Sequence, residues 1–117
     1  MSKSEVELLQ GTLDVLILKA LSLGPRHGAA LVRWLEQVTD GQLVVEEGSL
    51  YPALHRMQEK AWISSEWGYS ETHRRSRFYS LTDEGRRQLL EQMDAWVRTV
   101  RMVTRVFSAQ APVNPPR

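Results

Sequence analysis

The stretch from Thr82 to about Ala109 constrains this chain most, because it reads as one helix too long for a small domain to cover. Thr82 is a good N-cap, Asp83 and Glu84 place acid in the first turn, and Pro112 bars continuation. Within it Leu89, Trp96 and Val103 lie seven apart, as do Met93, Val100 and Phe107, and the two series interleave as the a and d positions of a heptad. About 25 residues rising about 1.5 Å each make a rod of about 38 Å. An apolar stripe of that length is expected to bury against a second subunit rather than fold back on its own domain. It predicts a homodimer with a seam of Leu89, Met93, Trp96, Val100, Val103 and Phe107.

The chain ahead of the rod reads as three short helices and a hairpin. Leu13, Leu16, Ile17, Ala20 and Leu21 follow helical spacing, with Thr12 as N-cap and Gly24-Pro25 as the stop. Val15 and Leu18 occupy another side of that helix, which implies a further partner surface. Leu31, Leu35 and Val38, with Trp34 beside them, mark a second helix ending at Asp40-Gly41. Leu43 to Val45 suits one short strand, and Leu50, Leu54 and Met57 predict a third helix ending near Lys60. Trp62 to Trp67 and Arg77 to Leu81 are strand-like and flank a polar connection, Gly68 to Arg75. The fold expected is therefore mostly α with a small β-hairpin, α+β: a winged helix-turn-helix over 1–81, a dimerisation helix over 82–109, and a disordered tail over 110–117 containing Pro112, Pro115 and Pro116.

Composition removes several functions. The chain has no cysteine, which excludes disulfides, thiolate nucleophiles and zinc ribbons and fits a cytoplasmic protein. Neither a signal peptide nor a membrane span is expected, since Asp14 and Lys19 interrupt the longest apolar run. His27, His55 and His73 fall in separate elements, and no His-Glu-x-x-His or Gly-rich phosphate loop accompanies them. His55 with Glu59 supplies only two metal ligands. No enzyme, metal or cofactor is expected.

Charge placement points to DNA, although the formal net charge is only +1. With Leu50, Leu54 and Met57 inward, the third helix leaves Ser49, Tyr51, Pro52, His55 and Arg56 toward solvent, where they could meet phosphate and base edges in the major groove. His73, Arg74, Arg75 and Arg77 crowd the hairpin tip, and guanidinium forks match phosphate oxygens. Two alternatives stand beside this reading. The arginines could balance Glu66 and Glu71, and winged helices also serve as protein-protein modules that do not bind DNA.

Five stretches resemble the PadR-like transcriptional regulators: Gly11-Thr12-Leu13, Gly24-Pro25-Arg26-His27-Gly28, Gly48 to Arg56 with its Leu50-Tyr51-Pro52, Glu66-Trp67-Gly68, and Arg77 to Gly85. The resemblance implies a dimeric, usually repressing regulator of the short branch, in which a single long helix follows the wing. It assigns Ser49 and Tyr51 to DNA from the third helix and Arg74, Arg75 and Arg77 to backbone from the wing. Relatives commonly begin the third helix with Ser-Pro where this chain has Glu46-Glu47, and many carry Gly in the wing tip where it has His73. Some short-branch members bind flat aromatic or cationic drugs between seam tryptophans. Paired Trp96 indoles with Met93, Val100 and the Val15 and Leu18 side of the first helix need not close-pack, so two readings stand: a site for a planar apolar effector that opposes operator binding, as the resemblance implies, or simple dimer-core packing. One recognition helix per subunit of a two-fold dimer predicts a pseudo-palindromic operator.

Overall fold

Residues 10–111 are described by a computed structural model of the chain. The first helix among the described residues, α1 (Gln10–Ser22), begins ahead of Thr12 and closes with Gly24 at a φ of 140°, a conformation that glycine adopts freely. A two-residue strand, β1 (Arg26–His27), leads directly into α2 (Gly28–Val38). The His27 side chain caps α2, its Nδ1 accepting the Ala30 N–H at 3.2 Å. At the far end Thr39 Oγ1 donates to the Leu35 carbonyl at 2.8 Å and accepts the Leu43 N–H at 3.0 Å. Asp40 and Gly41 then turn the chain through positive φ toward α3 (Glu47–Glu59).

The hairpin is β2 (Ile63–Tyr69) paired antiparallel with β3 (Arg75–Leu81), and β1 adds to the other side of β3, giving the order β1-β3-β2. The last helix, α4 (Asp83–Ser108), starts from Thr82 as expected. Among the described residues no helix is long and apolar enough to cross a membrane. The expected tail lies outside the described residues from 112 onward.

One core unites these elements. Ile17, Leu18, Leu31, Leu35, Leu50, Leu54, Met57 and Ile63 are all completely or nearly completely buried. Four expectations need correction against it. Val15 and Leu18, read as a spare partner surface, are only 5% and 0% exposed, because α1 runs through the middle of the domain and is covered on several sides. Leu89 is 4% exposed and packs into its own subunit's core, so the seam cannot begin there. Leu43 and Val45 are buried as a strand would be, but their backbone joins no sheet, and the third strand is β1 instead. Val38, placed on the inward stripe of the second helix, faces solvent.

The joint between hairpin and α4 is tight. Thr82 donates its N–H to the Trp62 carbonyl at 3.0 Å, and its Oγ1 donates to the Ala61 carbonyl at 2.6 Å while accepting the Gly85 N–H at 3.0 Å. A Cβ on Gly85 would overlap the Trp62 carbonyl oxygen, a backbone atom that cannot swing away. Replacing glycine by alanine inside a helix ordinarily stabilises by about 1 kcal/mol. Here the sign reverses: Gly85→Ala is expected to destabilise by about 1–3 kcal/mol, as overpacking does, and a thermal melt will show a lower Tm.

Candidate nucleic-acid interface

The surface of α3 follows from how the helix starts and what it packs on. Glu46 stands at the N-cap without a side-chain hydrogen bond, so the carboxylates of Glu46 and Glu47 favour the helix start by charge and not by capping. Pro52 lies inside the helix and lacks the N–H that would reach the carbonyl four residues back, at Gly48. Ser49, Tyr51, Pro52 and His55 are exposed on the outer face, as their spacing indicates. Tyr51 leans on the start of α2, where a Cβ on Gly28 would come within 2.5 Å of its hydroxyl oxygen. Glycine at that position makes room for the tyrosine.

Arg56 is not part of that outer face. Its Nη2 donates to Asp14 Oδ1 of α1 at 2.8 Å, with Asp14 almost fully buried, and its Nε is buried without a partner. Burial pushes the Asp14 carboxyl above its ordinary value, against the pull of the Arg56 guanidinium. The residue expected to read DNA therefore fixes α3 to α1. Asp14, which in the sequence only interrupts an apolar run, is the partner that sequence reasoning missed.

The wing brings its arginines to the same cleft. In the hairpin register Trp67 faces Arg77 and Tyr69 faces Arg75, so these four side chains share one face of the sheet with Ser65 and Tyr79. Arg77 and Tyr79 on that face join Tyr51, His55, Gln58 and Glu59 of α3 around a cleft of about 600 Å³. At the tip Ser70 and Arg74 close the turn by an N–H to carbonyl bond of 2.9 Å, and His73 takes a φ of 63°. That is the left-handed conformation that glycine adopts freely, and histidine is among the residues that tolerate it.

Carboxylates do not occupy the wing arginines. Glu71 turns back to the helical domain, 3.4 Å from His27 Nε2 and 2.9 Å from Arg33 Nη2. Its own backbone N–H, His27 and Arg33 together hold its carboxyl below the usual range. Because His27 Nδ1 accepts from Ala30, the proton of the neutral ring sits on Nε2 and points at Glu71. Arg74, Arg75 and Arg77 form no ion pair among the described residues, and neither does Glu66. The idea that they merely neutralise Glu66 and Glu71 loses its support.

A second feature lies on α4. Met93, Trp96 and Val97 face Thr12, Val15, Leu16 and Lys19 of α1 across an apolar groove of about 370 Å³. Of the expected effector residues, the groove gathers Val15, Met93 and Trp96. Leu18 is excluded by burial, and Val100 lies one turn on, in a separate hollow that it shares with Trp96 and Val97. The remaining seam residues, Met93, Trp96, Val100, Val103 and Phe107, are exposed in the single subunit.

The sequence profile of the transcriptional regulator PadR-like family matches residues 17–91, from the middle of α1 through the wing to the base of α4. The chain belongs to this family. As a PadR-like protein it is a DNA-binding transcriptional regulator and not an enzyme. A PadR-like transcriptional regulator from Bacillus cereus is 30% identical with a TM-score of 0.76, over 87% of this chain and 97% of its own. A PadR family regulator from Eggerthella lenta is 31% identical with a TM-score of 0.72, covering 86% of both chains. An uncharacterised protein of Lysinibacillus sphaericus is 22% identical over 97 residues, 83% of this chain and 89% of its own. The winged-helix fold expected from the sequence is thus shared with PadR-like regulators of known structure.

The two kinds of arginine in this PadR-like chain should separate in a stability measurement. Arg56→Ala strands Asp14 in the interior and is expected to cost about 2–3 kcal/mol, somewhat less than the about 3–5 kcal/mol for a fully buried pair, because Arg56 is partly exposed. Arg75→Ala removes an exposed charge that has no ion-pair partner among the described residues and should shift stability by no more than about 0.5 kcal/mol. Urea unfolding of both variants checks the contrast.

Proposed function

We propose that this PadR-like regulator is a homodimeric repressor acting in the cytoplasm, which reads a pseudo-palindromic operator with α3 and holds the DNA backbone with the wing. The observation that carries the reading is the cleft in which Tyr51 and His55 of α3 stand beside Arg77 of the wing, with no carboxylate spent on the wing arginines. Ser49, Tyr51, Pro52 and His55 approach base edges and phosphates at the start of the recognition helix. His73, Arg74, Arg75 and Arg77 approach adjacent backbone. Dimerisation is supported by the exposed α4 stripe, in which Met93, Trp96, Val100, Val103 and Phe107 would be covered by a second copy.

Titrating the DNA upstream of the gene for this chain over a range of salt tests the reading. Binding is expected to weaken steeply with salt, and Arg75→Ala should reduce the slope of log K against log salt by about 2, one phosphate for each subunit of a dimer. His55→Ala should instead change sequence preference. An unchanged salt slope in the Arg75 variant would remove the wing from the interface.

The groove between α1 and Trp96 supports release by a planar apolar effector. Such a compound gains by stacking on the indole, and it opposes operator binding only through different affinity for DNA-competent and incompetent dimers. Trp96→Ala is expected to leave a DNA-binding dimer that no longer responds to the compound, measured by sedimentation and by operator binding with a panel of planar dyes. Dissociation of the variant into monomers would show that Trp96 is seam packing alone.

A further inference from the structure

Trp67 lies toward the tip of the wing, beyond the point where its sheet face, which it shares with the buried Tyr79, meets the core; 53% of its surface is open. Its ring is bracketed by cations. The Arg75 guanidinium carbon lies 4.4 Å from the ring centroid and that of Arg77 lies 5.2 Å from it. Two guanidinium groups two residues apart on one strand repel each other, and the electron-rich indole face lets both settle nearby without a counter-ion.

The chemistry of that arrangement matters more than its strength. A carboxylate holds an arginine by occupying its N–H fork, the same donors that a phosphate needs. An aromatic face holds the flat side of the guanidinium and leaves the in-plane donors free. Arg77 is fixed at a further point, its Nε donating to Ser65 Oγ at 3.0 Å, which still leaves both terminal nitrogens available. Long arginine side chains on a hairpin otherwise sample many rotamers, and ordering them on contact with DNA weakens binding.

We propose that Trp67 is a positioning residue for DNA binding, which stacks Arg75 and Arg77 in place with their donor forks open to two neighbouring phosphates. The proposal rests on the reading of the wing as a phosphate-binding element. It predicts that Trp67 works through the arginines and not by touching DNA itself.

Fluorescence anisotropy of a labelled mixed-sequence duplex tests this with the full chain, since phosphate contacts carry no base information. Trp67→Leu should bind about 3- to 10-fold more weakly with an unchanged Tm, whereas Trp67→Phe, which keeps an aromatic face, should retain most of the affinity. In a background of Arg75→Ala with Arg77→Ala, the leucine substitution should cause no further loss. A Trp67→Leu variant that binds as the parent does, while the arginine variants weaken, overturns the proposal. A loss that adds in full to that of the arginine variants also overturns it and assigns Trp67 a DNA contact of its own. Arginine variants that bind as tightly as the parent overturn the wing reading beneath it.

Discussion

The surface offered to DNA depends on how α1 holds α3. Leu18, Leu50, Leu54 and Met57 are sealed from water, and burying each contributes about 1.5–3 kcal/mol. Apolar burial has no direction of its own, however, and would tolerate a helix turned or slid by a few degrees. The Asp14–Arg56 pair adds direction, since a carboxylate and a guanidinium meet at 2.8 Å in one register only. Its cost is visible in the Arg56 Nε left without an acceptor and in the raised Asp14 carboxyl. A carboxyl raised on folding binds protons more readily in the folded chain than in the unfolded one. Stability therefore falls as pH rises through the window just above the ordinary carboxylate value. The pair contributes orientation more than net stability.

Much of this was legible in the sequence, because much of it is local. Helical spacing marked α1, α2 and α3, Thr82 marked the start of α4, and alternation with a polar gap marked the hairpin. What failed depended on distant neighbours. The heptad places Leu89 with Trp96 and Val103, and nothing in a periodic pattern says that its first member meets the subunit's own core while the others project beyond it. Leu18 could not be assigned for a related reason: a helix apolar on several sides can be a central element or a partner surface, and α1 is the former at Leu18. Leu43 and Val45 alternate like strand residues, yet the Leu43 N–H is satisfied by Thr39 Oγ1. The two residues of β1 are too few to show a period.

The candidate site divides in the same way. Arginines crowded into a hairpin tip are visible by composition alone, and the exposed face of α3 follows once its inward residues are known. The pairing of Arg56 was missed because its partner lies 42 residues away. His27 was passed over because side-chain caps are usually Ser, Thr, Asp or Asn, and an imidazole serves only if one ring nitrogen is free to accept. The groove beside Trp96 was half legible: Trp96, Met93 and Val15 meet there, but Thr12, Leu16 and Lys19 of α1 also line it. One rigid helix thus borders both the groove and, through Asp14, the seat of α3.

The joint at Gly85 acts on a larger scale than its own contacts. The helix it anchors has 26 residues, and its last turns, with Met102, Val106 and Phe107, stay exposed among the described residues. It behaves as a lever whose pivot is the close approach of Gly85 to the Trp62 carbonyl. For an arm of about 39 Å, a tilt of about 5° at the pivot moves the far end by about 3 Å. In the proposed dimer, two such arms joined by symmetry would carry the error twice, and half-sites on DNA recur about every 34 Å of helix axis with little tolerance. In the proposed dimer this glycine would thereby set the gauge, the distance at which the two halves can stand on the duplex together.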